Sequence, residues 1–281
     1  MKANLKEELI KAKQGKYAIP AFNFDDLEML KGIIQAAEAE KSPVILMSTE
    51  SAAKYMGLEY VFAIGKAAVE NATVPVILHW DHGFDLDLIK KAVDHGYTSV
   101  MLDASKESFA DNVKHTQEVV EYAHAKGVQV ESEIGHVGGK EDDRVSNNGG
   151  YTNVEEAIKF AELTKVDALA IAVGTAHGVY HGTPVLQFDL IKEINAKVST
   201  PLVLHGSSGV PLPDLQKAIS LGITKINIGT DLKIANANAF RTWLNENPDG
   251  YDARKFGQAG IDAVKAEAIK KIRAFGANNK A

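Results

Sequence analysis

The sequence predicts an α/β protein of the (β/α)8 class, a TIM barrel with additional C-terminal helices, and three observations carry that expectation. Apolar, β-branched runs recur at 19–24, 44–47, 74–78, 99–102, 128–130, 168–173, 201–204 and 225–228, eight in all. Their hydrophobicity is near-continuous rather than alternating, as in parallel strands covered on both faces by helices. Helical patterns fall between the runs, within a chain of 281 residues, about the length such a barrel needs. The runs are also asymmetric: their exits carry polar or ionisable residues, while their opposite ends are mostly apolar, proline or glycine.

Taken in order, the first run leads into a helical face of Leu27, Leu30 and Ile34. The third leads into Leu86, Ile89 and Val93, a helix opened by Asp85 and closed near Gly96. Gly127 and Gly222 stand where helix-terminating glycines belong, and Asn153 caps a helix carrying Val154, Ile158 and Ala161. Beyond the eighth run, 232–244 and 261–275 read as helices separated by a polar segment, 245–260. No linker, low-complexity tract or internal repeat interrupts the pattern, so a single domain over 1–281 is expected. An open doubly wound sheet is the alternative, but no Gly-x-Gly-x-x-Gly follows the first run.

Composition narrows the function. The absence of cysteine excludes disulfides and thiolate metal sites, leaving histidine and carboxylate as metal ligands. A formal net charge of -6 offers no broad basic footprint for nucleic acid, although a few local donors still suffice for a small anion. The N-terminus lacks a signal-peptide apolar region and no stretch is long enough to span a bilayer, so a soluble, cytoplasmic protein without a membrane partner is expected.

The run exits carry the chemistry. In a barrel they form the active-site face, and here they present Asn23, Ser48, Asp81 with His82, Asp103, Glu133, His177, His205 and Asn227. Three histidines at three separate exits, His82, His177 and His205, suit a catalytic zinc, which takes three neutral nitrogens and keeps a fourth position open. His79, His95, His115 and His124 are expected to be structural, since a lone histidine beside a strand is more often hydrogen-bonded than ligating. Asp81 and His82 are neighbours, so both reach the site only if the strand turns or bulges there. Asp81 then either orients a histidine or, the preferred alternative, acts directly as acid and base. Gly206-Ser207-Ser208-Gly209 follows the seventh run and Asn227-Ile228-Gly229-Thr230 the eighth, where barrels commonly bind phosphate through backbone N–H groups. The glycine-rich segment 135–150 reads equally as a lid and as an acidic surface loop.

Three motifs carry a family resemblance: His79-Trp80-Asp81-His82-Gly83, Gly174-Thr175-Ala176-His177-Gly178 and Gly138-Gly139-Lys140-Glu141-Asp142. In order and nearly end to end, the chain resembles the class II, zinc-dependent ketose-bisphosphate aldolases. The resemblance implies zinc held by His82, His177 and His205, with Asp103 and Glu133 as acids near the metal and Glu133 an alternate ligand. It implies Asp81 as acid and base at the C4 hydroxyl and Glu141 as the group moving the C3 proton. Gly178, Gly206, Ser207, Ser208, Asn227, Ile228, Gly229 and Thr230 match the cradle for the dihydroxyacetone-phosphate end, assisted in some members by sodium or potassium. Asn23 and Ser48, at the mouth, are counted with the substrate contacts. The expected partner is a phosphorylated ketose, and the expected assembly a homodimer or homotetramer.

Departures from the pattern leave the sugar open. Gly206-Ser207-Ser208-Gly209 replaces the Gly-Gly-Ser-Gly of many fructose enzymes, Gly229 stands where they carry an acid, and His181 where some carry lysine. Segment 246–254 resembles the tagatose-bisphosphate branch, with Arg254 implied at the distal phosphate, across a subunit interface in one version. A 6-phospho-5-dehydro-2-deoxygluconate aldolase and a catalytically silent sugar-phosphate binder are the alternatives. The other aldolase strategy needs a Schiff-base lysine inside the barrel. Lys225, at the start of the eighth run, is expected to face the opposite end.

Overall fold

Eight short parallel strands close into a barrel because each is apolar enough to be buried on both faces and each is returned by a helix. They are β1 (Ile19–Asn23), β2 (Val44–Thr49), β3 (Val76–Gly83), β4 (Ser99–Leu102), β5 (Gln129–Ile134), β8 (Ala168–Ile171), β10 (Leu202–Leu204) and β11 (Ile223–Ile228). The circuit runs β1-β11-β10-β8-β5-β4-β3-β2, with β1 hydrogen-bonded to both β2 and β11. A computed structural model describes residues 1–141, 144–146 and 150–281, with side chains described outside 141–149.

The outer layer contains α2 (Leu27–Glu40), α3 (Glu50–Met56), α4 (Leu58–Asn71), α5 (Leu86–Asp94), α6 (Phe109–His124), α7 (Val154–Thr164), α8 (Phe188–Lys197) and α9 (Leu212–Ser220). The expected caps are formed: Asp85 accepts from the N–H groups of Asp87 and Leu88, and Asn153 from Glu156. At the barrel's N-terminal end, α1 (Leu5–Gly15) buries Leu5, Leu9 and Ala12 against β1, β8 and β11. At the other end a small sheet, β7 (Arg144–Ser146), β6 (Gly138–Glu141) and β9 (Ala176–His177), pairs Gly139 with His177. Part of the glycine-rich segment is therefore strand that adjoins a candidate ligand, rather than plain surface loop.

Of the boundaries that differ from expectation, two bear on the packing and the site. α10 (Thr230–Glu246) is followed by α11 (Ala253–Ala274), which begins eight residues before the expected start and takes in Gly257 and Gly260. These glycines act as contact points, not breakers: a Cβ at Gly260 would lie 2.2 Å from Asn236 Oδ1 and 2.3 Å from the Phe240 ring. β11 begins at Ile223, two residues earlier than expected, which changes where Lys225 points. No described helix is long and apolar enough to cross a membrane.

Candidate active site

Strand alternation sends Ile223, Lys225 and Asn227 of β11 into the barrel, together with Glu131 and Glu133 of β5, Asn23 of β1 and Asp81 of β3. Lys225 is thus inside the barrel, contrary to expectation. It is fully buried, its Nζ 3.0 Å from Glu131 Oε1 and 2.8 Å from Oε2. An ammonium in that position is committed to a carboxylate, and it sits below the mouth as a brace.

At the end of β3 the chain does what two adjacent functional residues require. His82 adopts a left-handed backbone, φ +46°, and the register with β4 shifts between Trp80 and Gly83. That irregularity brings Asp81 and His82 to the same mouth. The His82 ring then lies 5.0 Å from that of His177 and 4.6 Å from that of His205, centroid to centroid. One ring nitrogen from each of the three falls within 4.8 Å of the others, and His82, Asp103 and Glu133 form a second such group.

Carboxylates fix the His82 and His205 rings. His82 Nδ1 is 2.9 Å from Asp103 Oδ2, and Asp103 Oδ1 accepts from the Ser105 hydroxyl at 2.7 Å. His205 Nε2 is 2.8 Å from Glu131 Oε1, and its Nδ1 is 3.2 Å from Glu133 Oε2. An acid at Nδ1 of His82 and at Nε2 of His205 suits the opposite nitrogen of each of these two rings to metal ligation. The donor set of three imidazoles with two nearby carboxylates fits a zinc ion.

Electrostatics follow from burial and these neighbours. Burial pushes the Asp81 carboxyl up, but surrounding cations, His82 foremost, hold it down at about 2, so it stays ionised at neutral pH. Its oxygens accept from Asn23 Nδ2 at 2.9 Å and Asn227 Nδ2 at 3.3 Å. Burial opposes ionisation of Asp103 as well, yet its hydrogen bond to His82 keeps it below the usual carboxylate range. Burial and His82 press the His205 ring toward neutrality, and the two glutamates outweigh them, raising it to about 9 before any metal competes. Burial first, then His82 and His205, lower His177 well below the ordinary imidazole value. Burial and Lys225 leave His79 at about 3, hence neutral, with its Nδ1 2.8 Å from Ser99 Oγ.

Beside the histidines opens a cleft of about 50 Å³. Its floor is Gly178, Gly206, Ser207 and Ser208 on one side and Asn227, Gly229 and Thr230 on the other. Gly206 has φ +62°, and a Cβ there would lie 2.6 Å from the Ala176 backbone, so a side chain would break the cradle. A Cβ at Gly229 would come within 2.9 Å of Asn23 Oδ1.

The structure gathers most of the expected residues and leaves out three. Ser48 points out of the barrel, its hydroxyl 2.5 Å from Tyr97 OH, because it is paired with outward-facing Trp80. Thr49, opposite Asp81, lines the cleft in its place. Ile228 buries its side chain in the barrel wall opposite Phe22 and does not line the cleft. Arg254 opens α11 with its side chain 90% exposed and paired to Asp252, away from the cleft within this chain. Glu141 ends β6, and its side chain lies outside the described residues. Sequence reasoning missed Lys140 and Lys233, which line the cleft, and Glu131, which aims His205. Lys233 was findable, one helical turn after Thr230; Glu131 was not, because a charged residue inside a strand looks like an error in the apolar pattern.

The class II fructose-bisphosphate aldolase family model matches residues 3–280. The chain is 47% identical over 281 residues to the fructose-bisphosphate aldolase of Geobacillus stearothermophilus, covering 99% of this chain and 98% of that protein. Its fold matches the crystal structure of the YdjI aldolase from Escherichia coli K12 with a TM-score of 0.88 at 38% identity, across 100% of both chains. It matches the fructose-bisphosphate aldolase of Campylobacter jejuni with a TM-score of 0.84 at 25% identity, covering 100% of this chain and 97% of that one. A closed barrel with three histidines gathered at one mouth, matched over its whole length by these relatives, belongs to the class II fructose-bisphosphate aldolase family.

Proposed function

We propose that the protein reversibly cleaves a ketose 1,6-bisphosphate to dihydroxyacetone phosphate and glyceraldehyde 3-phosphate. The observation that supports this most is the Asp81 carboxylate, held between the amides of Asn23 and Asn227, beside a three-histidine cluster and a glycine-floored cleft. His82, His177 and His205 would hold zinc, with Asp103 and Glu133 as flanking acids. When bound, zinc supplies a Lewis acid for the negative charge left on the carbonyl oxygen as the C3–C4 bond breaks.

The remaining work belongs to the chain. Asp81 takes the C4 hydroxyl proton in cleavage and returns it in condensation, its position fixed by the two asparagine amides. Glu141 is assigned the C3 proton on the family's pattern. Backbone N–H groups around Gly178, Gly206, Ser207, Ser208, Gly229 and Thr230 receive the phosphate of the dihydroxyacetone end, with Lys140 and Lys233 adding positive charge. A sodium or potassium ion at this cradle is part of the proposal, as are a cytoplasmic location, a single domain over 1–281 and a homodimer or homotetramer in which Arg254 meets the distal phosphate.

Fructose and tagatose bisphosphates differ at C4, and each has support. The curated relatives favour fructose, whereas Gly229 and the 246–254 segment favour tagatose. Steady-state cleavage of both sugars, before and after chelation with zinc add-back, tests the whole proposal. Zinc-restored cleavage supports the metal, and the ratio of kcat/KM values selects the sugar. Cleavage of neither favours the 6-phospho-5-dehydro-2-deoxygluconate substrate or a silent binder, and cleavage indifferent to thorough metal removal defeats the zinc assignment.

A further inference from the structure

The two loops flooring the cleft come from different β/α units, and Asp231, the second residue of α10, ties them together. Its backbone N–H donates to Ser208 Oγ at 3.2 Å, and its Oδ2 accepts from the Gly209 N–H at 3.3 Å. The tie has a drawback. It places a carboxylate charge next to a cleft that must accept a phosphate dianion.

Lys271 answers that charge from α11, a helix outside the eight β/α units. Its side chain is only 5% exposed, with Nζ 2.5 Å from Asp231 Oδ2 and 3.5 Å from Glu267 Oε1. Burying an ammonium is unfavourable unless it is paired, so the pairing with Asp231 is a specific arrangement rather than a solvated surface contact. Removing the ammonium leaves two outcomes: Asp231 stays and repels the anion, or it turns to solvent and releases the Gly209 N–H.

We propose that Lys271 is a positioning residue for phosphate: by neutralising Asp231 it lets that aspartate hold the 206–209 and 229–231 loops in register without repelling the substrate. This rests on the reading that those loops hold the substrate's phosphate. It adds that phosphate affinity is set partly from α11, through a residue that does not touch the ligand.

The test uses the full-length, zinc-loaded enzyme and reads KM, kcat, thermal midpoint and competitive inhibition by inorganic phosphate. K271M should raise KM and the phosphate inhibition constant together, by about tenfold, with kcat within about threefold of wild type. K271R should be close to wild type. Adding D231N to K271M should restore most of the lost affinity, because the charge needing neutralisation is gone, even though the thermal midpoint stays low. A K271M enzyme that is merely less heat-stable, with unchanged KM, overturns the proposal, as does a double variant that binds phosphate no better than K271M. If K271M does not fold, D231N alone decides: its amide keeps an acceptor for Gly209, so phosphate affinity should hold or improve, and a tenfold weakening overturns the inference. Wild-type enzyme that neither cleaves a ketose bisphosphate nor is inhibited by phosphate would instead refute the reading of the cleft, separately from Lys271.

Discussion

The histidine cluster and the glycine-floored cleft share one barrel mouth but are made of different materials. The cluster is built from side chains on strands and strand exits, the His82 and His205 rings fixed by carboxylates, with Glu131 and Lys225 beneath them inside the barrel. The cleft is built largely from main chain on loops, where Gly206 and Gly229 matter for the side chains they lack. The first region is therefore sensitive to loss of a charge and the second to gain of a methyl group.

Substitutions can break this contrast in order of expected size. His205→Ala removes a ring together with the partner of two glutamates, and should abolish zinc binding and lower cleavage by about 10⁴-fold or more. Metal analysis of the purified variant checks it; a full complement of zinc would remove His205 from the ligand set. Asp81→Ala should retain zinc and still lose roughly 10²- to 10⁴-fold in kcat, the range for a general acid–base group. Near-wild-type turnover would end that assignment. Gly206→Ala should raise KM by about tenfold with zinc content unchanged, since its Cβ meets the Ala176 backbone and strains a residue at positive φ. An unchanged KM would mean the cradle does not contact phosphate at Gly206. Ser48→Ala is the sharpest control: it should leave KM within about twofold while lowering stability by about 1 kcal/mol through the lost Tyr97 partner, measurable by urea unfolding. A large rise in KM would show that the outward-facing hydroxyl reports to the site after all.

Much of this architecture was legible in the sequence because a parallel barrel needs strands buried on both faces, and near-continuous apolar runs have few other uses. The run exits were legible for the complementary reason that imidazole and carboxylate are expensive to bury without a purpose. The need for a kink between Asp81 and His82 followed from period-two geometry, and φ +46° at His82 is that kink. What escaped was set by tertiary contact. Whether Ser48 or Thr49 faces the lumen depends on a one-residue register, and the β2–β3 pairing decides for Thr49. The early part of α11 was hidden because Gly257 and Gly260 look like breakers until the helices they touch are present. Lys225 was misplaced by a two-residue error in where β11 begins.

The kink at His82 also limits how such an enzyme can diversify. Because a candidate metal ligand and a candidate proton carrier hang on consecutive residues of one left-handed turn, the spacing between them belongs to the backbone and is beyond the reach of side-chain substitution. New sugars must therefore be accommodated by remodelling loops around a fixed pair. Laboratory variants selected for altered aldehyde preference are expected to accumulate changes at the rim, with residues 81–83 left as they are.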